Sequence, residues 1–184
     1  MKMPGLIFST LLMVSAPVYG DSTASKMFET LKALEGTWQG RMTSTPKASV
    51  EGTLTTVTLR VASMGNVLMH EMTGEGRPDN PLTMLYLEGE RLALTHYCDA
   101  GNRPRMAASM SEDGKSVEFD FTDVTGPMKY GYMRRARFTV IDADHHIEEW
   151  TYMMPGEKAV VARVELKRVA GPVPATTVAG AHQH

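Results

Sequence analysis

From Thr37 onward, apolar and polar side chains alternate with a period of two, and clusters of Gly, Asn, Asp and Pro interrupt the alternation at short intervals. That pattern predicts half-buried antiparallel strands joined by tight turns. Strands are predicted near Thr37–Ser44, Val50–Val61, Val67–Glu75, Leu82–Leu87, Arg91–Cys98, Arg105–Met110, Val117–Val124, Tyr130–Ile141, His146–Met153 and Val160–Val169. Turn chemistry separates them at Met64-Gly65-Asn66, Glu88-Gly89-Glu90, Glu112 to Lys115, Asp142 to His145 and Pro155 to Lys158. About ten strands in meander order predict an all-β fold, an antiparallel up-and-down barrel, because closure removes the exposed edges of an open sheet. An eight-stranded barrel and an open sandwich are the alternatives left by the same pattern.

Ahead of the strands, Asp21 to Glu35 reads as the one helix. Ser22, Thr23 and Ser25 offer N-cap oxygens, Met27, Phe28, Leu31 and Leu34 recur at helical spacing, and Gly36 stands where a C-terminal cap belongs. Its single apolar stripe predicts a helix lying across an open end of the barrel. Residues 1–20 read as a signal peptide: Lys2, an apolar run from Leu6 to Val14, then Val18 and Gly20 before a cut preceding Asp21. The run is too short for a membrane span. The barrel domain is therefore expected over residues 21–170. A disordered tail is expected over 171–184, and the mature protein is expected to be soluble and secreted or periplasmic.

Glu35-Gly36-Thr37-Trp38-Gln39-Gly40, at the junction of helix and first strand, resembles the opening signature of the calycin superfamily, which includes lipocalins, fatty-acid-binding proteins and nitrobindins. The resemblance implies a barrel whose base is sealed by the Trp38 ring, an amphipathic group whose N–H needs a partner. Thr95 to Met106 and Asp142 to Trp150 are similar to uncharacterised bacterial exported proteins of this architecture, which implies a fold but no activity. The functional positions of better-known relatives match less. The Arg-x-Tyr pair of fatty-acid-binding proteins is met here by Arg163-Val164-Glu165, and the late haem-ligating histidine of nitrobindins by His145 and His146, at a turn and a strand end.

Composition adds mainly exclusions. The 184-residue chain carries a formal charge of −2, and loss of Lys2, the one charged residue of the leader, takes it to −3. No basic stripe follows a phosphate backbone, so nucleic acid is not an expected partner. A lone Cys98 makes no internal disulfide. Twelve of the 15 methionines lie beyond the leader and follow strand alternation, the pattern of an adaptable cavity lining and not of a clustered copper site.

Candidate chemistry concentrates on a few positions. His96 and Cys98 share a strand face with Leu92 and Leu94, expected to be the interior. They are candidates for metal or haem ligation or for a nucleophile–base pair, the plainer reading being a bonded core histidine beside a buried thiol. One of His70 and Glu71 must face inward, and an inward His70 would join His96. Asp142 and Asp144 fit a turn by themselves, whereas His145 does not need to be there. Glu149, if inward, would need Arg134, Arg135 or Arg137 as a partner. Arg103 and Arg105 flank Pro104 in an expected loop, as an anion clamp or as solvated side chains.

The leading functional expectation is a non-enzymatic carrier that encloses a small apolar or amphipathic molecule, with His96, Cys98, Tyr86, Trp150, His70 and Glu149 as ligand-binding residues. A haem- or metal-binding barrel with histidine ligands is the second reading. A small-substrate enzyme with Glu71 or Glu149 as a cavity acid is the third, and a barrel plugged by its own side chains is the fourth. Neither a cofactor nor a metal is specified by the sequence.

Overall fold

A computed structural model describes residues 22–171. The expected signal peptide and nearly all of the expected tail lie outside the described residues. Helix α1 (Thr23–Lys32) leads into strands β1 (Gly36–Thr45), β2 (Leu54–Ala62), β3 (Val67–Gly74), β4 (Leu82–Glu88), β5 (Arg91–Tyr97), β6 (Arg103–Met110), β7 (Ser116–Thr125), β8 (Tyr132–Val140), β9 (His145–Met154) and β10 (Lys158–Ala170). Every neighbouring pair is antiparallel, and β1 pairs with both β2 and β10, so ten strands close into one barrel in meander order. Neither the eight-stranded alternative nor the sandwich survives that closure.

Helix α1 is shorter than expected at both ends. Ser22 is its N-cap, its hydroxyl accepting from the Ser25 N–H at 3.2 Å, and Ala33 is its C-cap. Gly36 is not the cap but the first residue of β1. There φ is +139°, and a Cβ would strike the Arg168 side chain and the Ala170 carbonyl oxygen. Val50 to Thr53, expected in the second strand, form a turn instead, because Gly52 adopts φ +77° and Gly52 N–H closes on the Met42 carbonyl. Strand β6 begins earlier than expected, at Arg103, and takes Pro104 with it.

The lumen is filled at one end and hollow at the other. Ala24, Met27, Phe28 and Leu31 of α1 join Leu34, Trp38, Leu59, Leu68, Leu85, Leu92, Leu94, Phe119 and Phe138 in one buried cluster, so the helix plugs the filled end. Trp38 is the base of that plug. Its Nε1–H donates to the Leu34 carbonyl at 2.8 Å, and the Arg168 guanidinium lies 4.0 Å over its ring. Arg168 also donates to the carbonyls of Glu35 at 2.6 Å and Ala143 at 2.9 Å, tying β10 to the helix–strand junction.

Candidate functional site

Strand β9 supplies the polar centre of the barrel. Alternation turns His146, Glu148 and Trp150 inward, and all three are buried. Glu148 is fully buried, and its carboxylate accepts from three N–H groups: His70 Nε2 at 2.9 Å, His146 Nε2 at 3.1 Å and Trp150 Nε1 at 3.0 Å. His70 comes from β3, four steps from β9 around the wall, so the bond crosses the lumen. Burial alone would raise the Glu148 carboxyl; the His70 charge and the bonds from His146 and His70 outweigh it and hold the carboxyl well below the usual range. Nδ1 of both His70 and His146 is buried and has no partner among the described residues.

Beside this layer, His96 on β5 faces Thr83 on β4, with Nδ1 2.9 Å from the Thr83 hydroxyl. Burial, and then the charge at His70, lower the His96 pKa to about 3. The ring centroids of His70 and His96 lie 5.3 and 5.6 Å from Trp150, so the three form one continuous floor.

Above that floor lies a cavity of about 690 Å³. Met42, Met72, Met133, Val160 and Ala162 form its apolar wall, and Lys47, Arg77, Asp79, Asp99 and Tyr130 approach it from the loops at the open end. Asn102 steadies two of those loops, its Nδ2 donating to the carbonyls of Pro127 and Gly131, both at 2.8 Å. Tyr152 donates its hydroxyl to the Tyr130 carbonyl at 2.9 Å, and burial pushes its pKa up to about 12.

The sequence-derived candidates divide between the two faces of the wall. His70, His96, Cys98 and Trp150 line the cavity. Tyr86 does not: its parity on β4 is opposite to that of buried Thr83 and Leu85, and its hydroxyl meets Thr95 Oγ1 at 3.0 Å on the outer wall. Glu149 is likewise outside, opposite Arg137 and Arg163 in register, and the inward acid is its neighbour Glu148. Glu71 faces out and accepts from Asn80. Arg103 and Arg105 form no anion clamp. They lie on β6, where Arg103 donates to Thr125 and Arg105 pairs with Glu88 at 2.7 Å. Asp142 closes its turn, accepting from the Asp144 N–H at 2.8 Å and from His145 Nδ1 at 2.9 Å.

Sequence reasoning singled out neither Glu148, Thr83 nor Arg168. Their signal was parity: Glu148 alternates with Trp150, and Arg168 with Val164 and Leu166, on apolar inward faces.

The chemistry available here is limited. Burial first, and the neighbouring Asp99 carboxylate, raise the Cys98 thiol to about 11, so at neutral pH it is protonated and a poor nucleophile. Among the described residues, no three His, Cys, Asp or Glu side chains are arranged to hold a metal ion. The late histidines do not fit haem ligation in the cavity. His145 is at a turn with Asp142, and His146 spends Nε2 on Glu148 and lies outside the cavity lining.

No protein-family model and no curated sequence matches this chain. Solved structures do. The barrel is similar to a protein of unknown function from the DUF3598 family of Nostoc punctiforme PCC 73102, at 11% identity and a TM-score of 0.52 over 76% of this chain and 49% of that one. It is also similar to Rv2717c from M. tuberculosis, at 15% identity and a TM-score of 0.53 over 77% of this chain and 96% of that one. The chain thus spans about half of the first and nearly all of the second. The likeness is one of fold.

Proposed function

We propose that the protein is an exported, non-enzymatic carrier that encloses a small apolar or amphipathic molecule in the open half of its barrel. The observation that carries this reading is the cavity of about 690 Å³, walled by thioether and aliphatic groups and floored by His70, His96 and Trp150. Ligand sites are of this size and kind: mostly apolar, with a few polar groups that fix orientation. The enzyme alternative is disfavoured because Glu71 and Glu149, the cavity acids it would use, lie outside the cavity lining, and Cys98 and His96 are pushed towards a neutral thiol and a weakly basic ring. Membership of the calycin superfamily is part of the same proposal, supported by Trp38 in the buried cluster at the filled end, beneath the lumen. Export rests on the leader pattern of residues 1–20.

The test uses Trp150, which faces the cavity, as a built-in reporter. Wild-type protein is expected to take up the neutral apolar dye Nile red, with a change in tryptophan emission. Ala162→Phe, which adds a ring to the cavity wall, is expected to weaken uptake at least about tenfold while changing stability by no more than about 1 kcal/mol, because the added ring enters open space. No dye uptake by wild type, or unchanged uptake by the variant, ends the carrier reading.

A further inference from the structure

Thr83 decides what the cavity floor can recognise. Its side chain is fully buried and lies outside the cavity lining, and among the described residues its hydroxyl has one partner, His96 Nδ1 at 2.9 Å. A buried hydroxyl hydrogen without an acceptor is costly, and His96 Nδ1 is the acceptor within reach. The hydroxyl therefore donates, Nδ1 accepts, and the neutral ring carries its hydrogen on Nε2. That nitrogen has no protein partner among the described residues and is not among the sealed, unpartnered atoms of the interior. His96 thus offers the cavity an N–H donor and no free lone pair of its own, which a metal or haem iron would require of it.

The surrounding charges select among acceptors. No unpaired cation lies at the floor among the described residues: His70 is paired with Glu148 at 2.9 Å, and His96 is neutral. The cationic lining groups, Lys47 and Arg77, come from the mouth loops, where Arg77 is bonded to Asp79 at 3.1 and 3.3 Å and Asp99 adds a further acid. A carboxylate driven to the floor would lose its water and find there no cation that Glu148 does not already engage. A carbonyl oxygen would lose much less and gain the His96 bond.

We infer that the cavity's ligand is a neutral carbonyl compound, a ketone, ester or amide on an apolar body, which docks its oxygen inward on the Nε2–H of His96. This rests on the carrier reading above. It makes His96 a specificity-determining residue and Thr83 a positioning residue that acts through it.

Matched probes test it: methyl decanoate, decanoate and undecane, each competing with Nile red on the wild-type chain at pH 7. The ester is expected to bind about tenfold more tightly than either competitor, the size of one hydrogen bond gained against none or against a desolvated charge. His96→Leu should bring the ester within about twofold of undecane, and His96→Gln, which keeps an N–H, should restore part of the preference. Nitrogen NMR of histidine-labelled wild type should place the His96 hydrogen on Nε2, a readout that needs no variant to fold. A hydrogen on Nδ1, or decanoate binding as well as the ester, overturns the inference. If all three probes bind alike, the carrier survives and the carbonyl preference falls; if neither dye nor probe binds, both fall.

Discussion

A histidine kept neutral inside a barrel makes stability depend on pH. Unfolded, His96 takes a proton near the ordinary histidine value of 6.5; folded, it resists until about 3. Below 6.5 the unfolded chain therefore binds a proton that the native chain does not, and stability present above that pH is lost as pH falls towards 3. Glu148 acts in the same direction over a lower window, because its native carboxyl stays ionised where the unfolded one, near 4.3, protonates. Urea unfolding is expected to show a loss of about 1.5 kcal/mol between pH 6.5 and pH 5, mostly absent in His96→Leu. A flat profile in the wild type would mean that His96 is not sequestered. At this scale the sequence was only partly legible. Alternation placed His96 and Trp150 inward, yet it favoured Glu149 over Glu148 because arginines on the preceding strand offered partners. Those arginines serve acids on the outer wall, Asp120 for Arg135 and Glu118 for Arg137, where both groups keep their water. The buried acid instead draws its main partner from β3, which is remote in sequence and invisible to local pattern.

Among the elements, α1 depends on β10 more than its own length suggests. Ten residues make a marginal helix alone. Its four buried side chains dock on the filled end, and Arg168 bonds the chain just after it while capping Trp38. Arg168→Met keeps the aliphatic stem but loses the cation over the ring and the bonds to Glu35 and Ala143. The expected cost is about 2–3 kcal/mol. Amide exchange should then rise first in residues 23–32, whereas a uniform rise across the barrel would assign Arg168 to global stability alone. Most strands were legible because Gly, Asn and Asp at their ends dictate turns. The misplaced starts of β2 and β6 had local reasons: Val50 and Glu51 look like strand residues but precede the left-handed Gly52, and Pro104 reads as a loop residue although it continues β6. Gly36 satisfied the rule for a helix cap and was used instead where β1 passes under Arg168.

For the whole molecule, closure into a ring followed from the meander, but the hollow did not. Alternation says which side chains face inward, not whether they meet. Leu, Phe and Met occur on inward faces of both halves, and only their convergence in three dimensions separates a filled end from an open one. The boundary is the layer His70–Glu148–His146–Trp150, whose hydrogen bonds brace opposite walls.

A braced floor at fixed depth also works as a gauge. From Trp150 to Met154, β9 rises four residues from floor to rim, roughly 13 Å of strand and nearer 10 Å along a tilted barrel axis. Guests up to that depth bury every added methylene; longer ones leave the excess in water. In a homologous series of methyl esters, affinity should climb by about 0.8 kcal/mol per carbon and then level off. A rise that never levels would show the floor giving way.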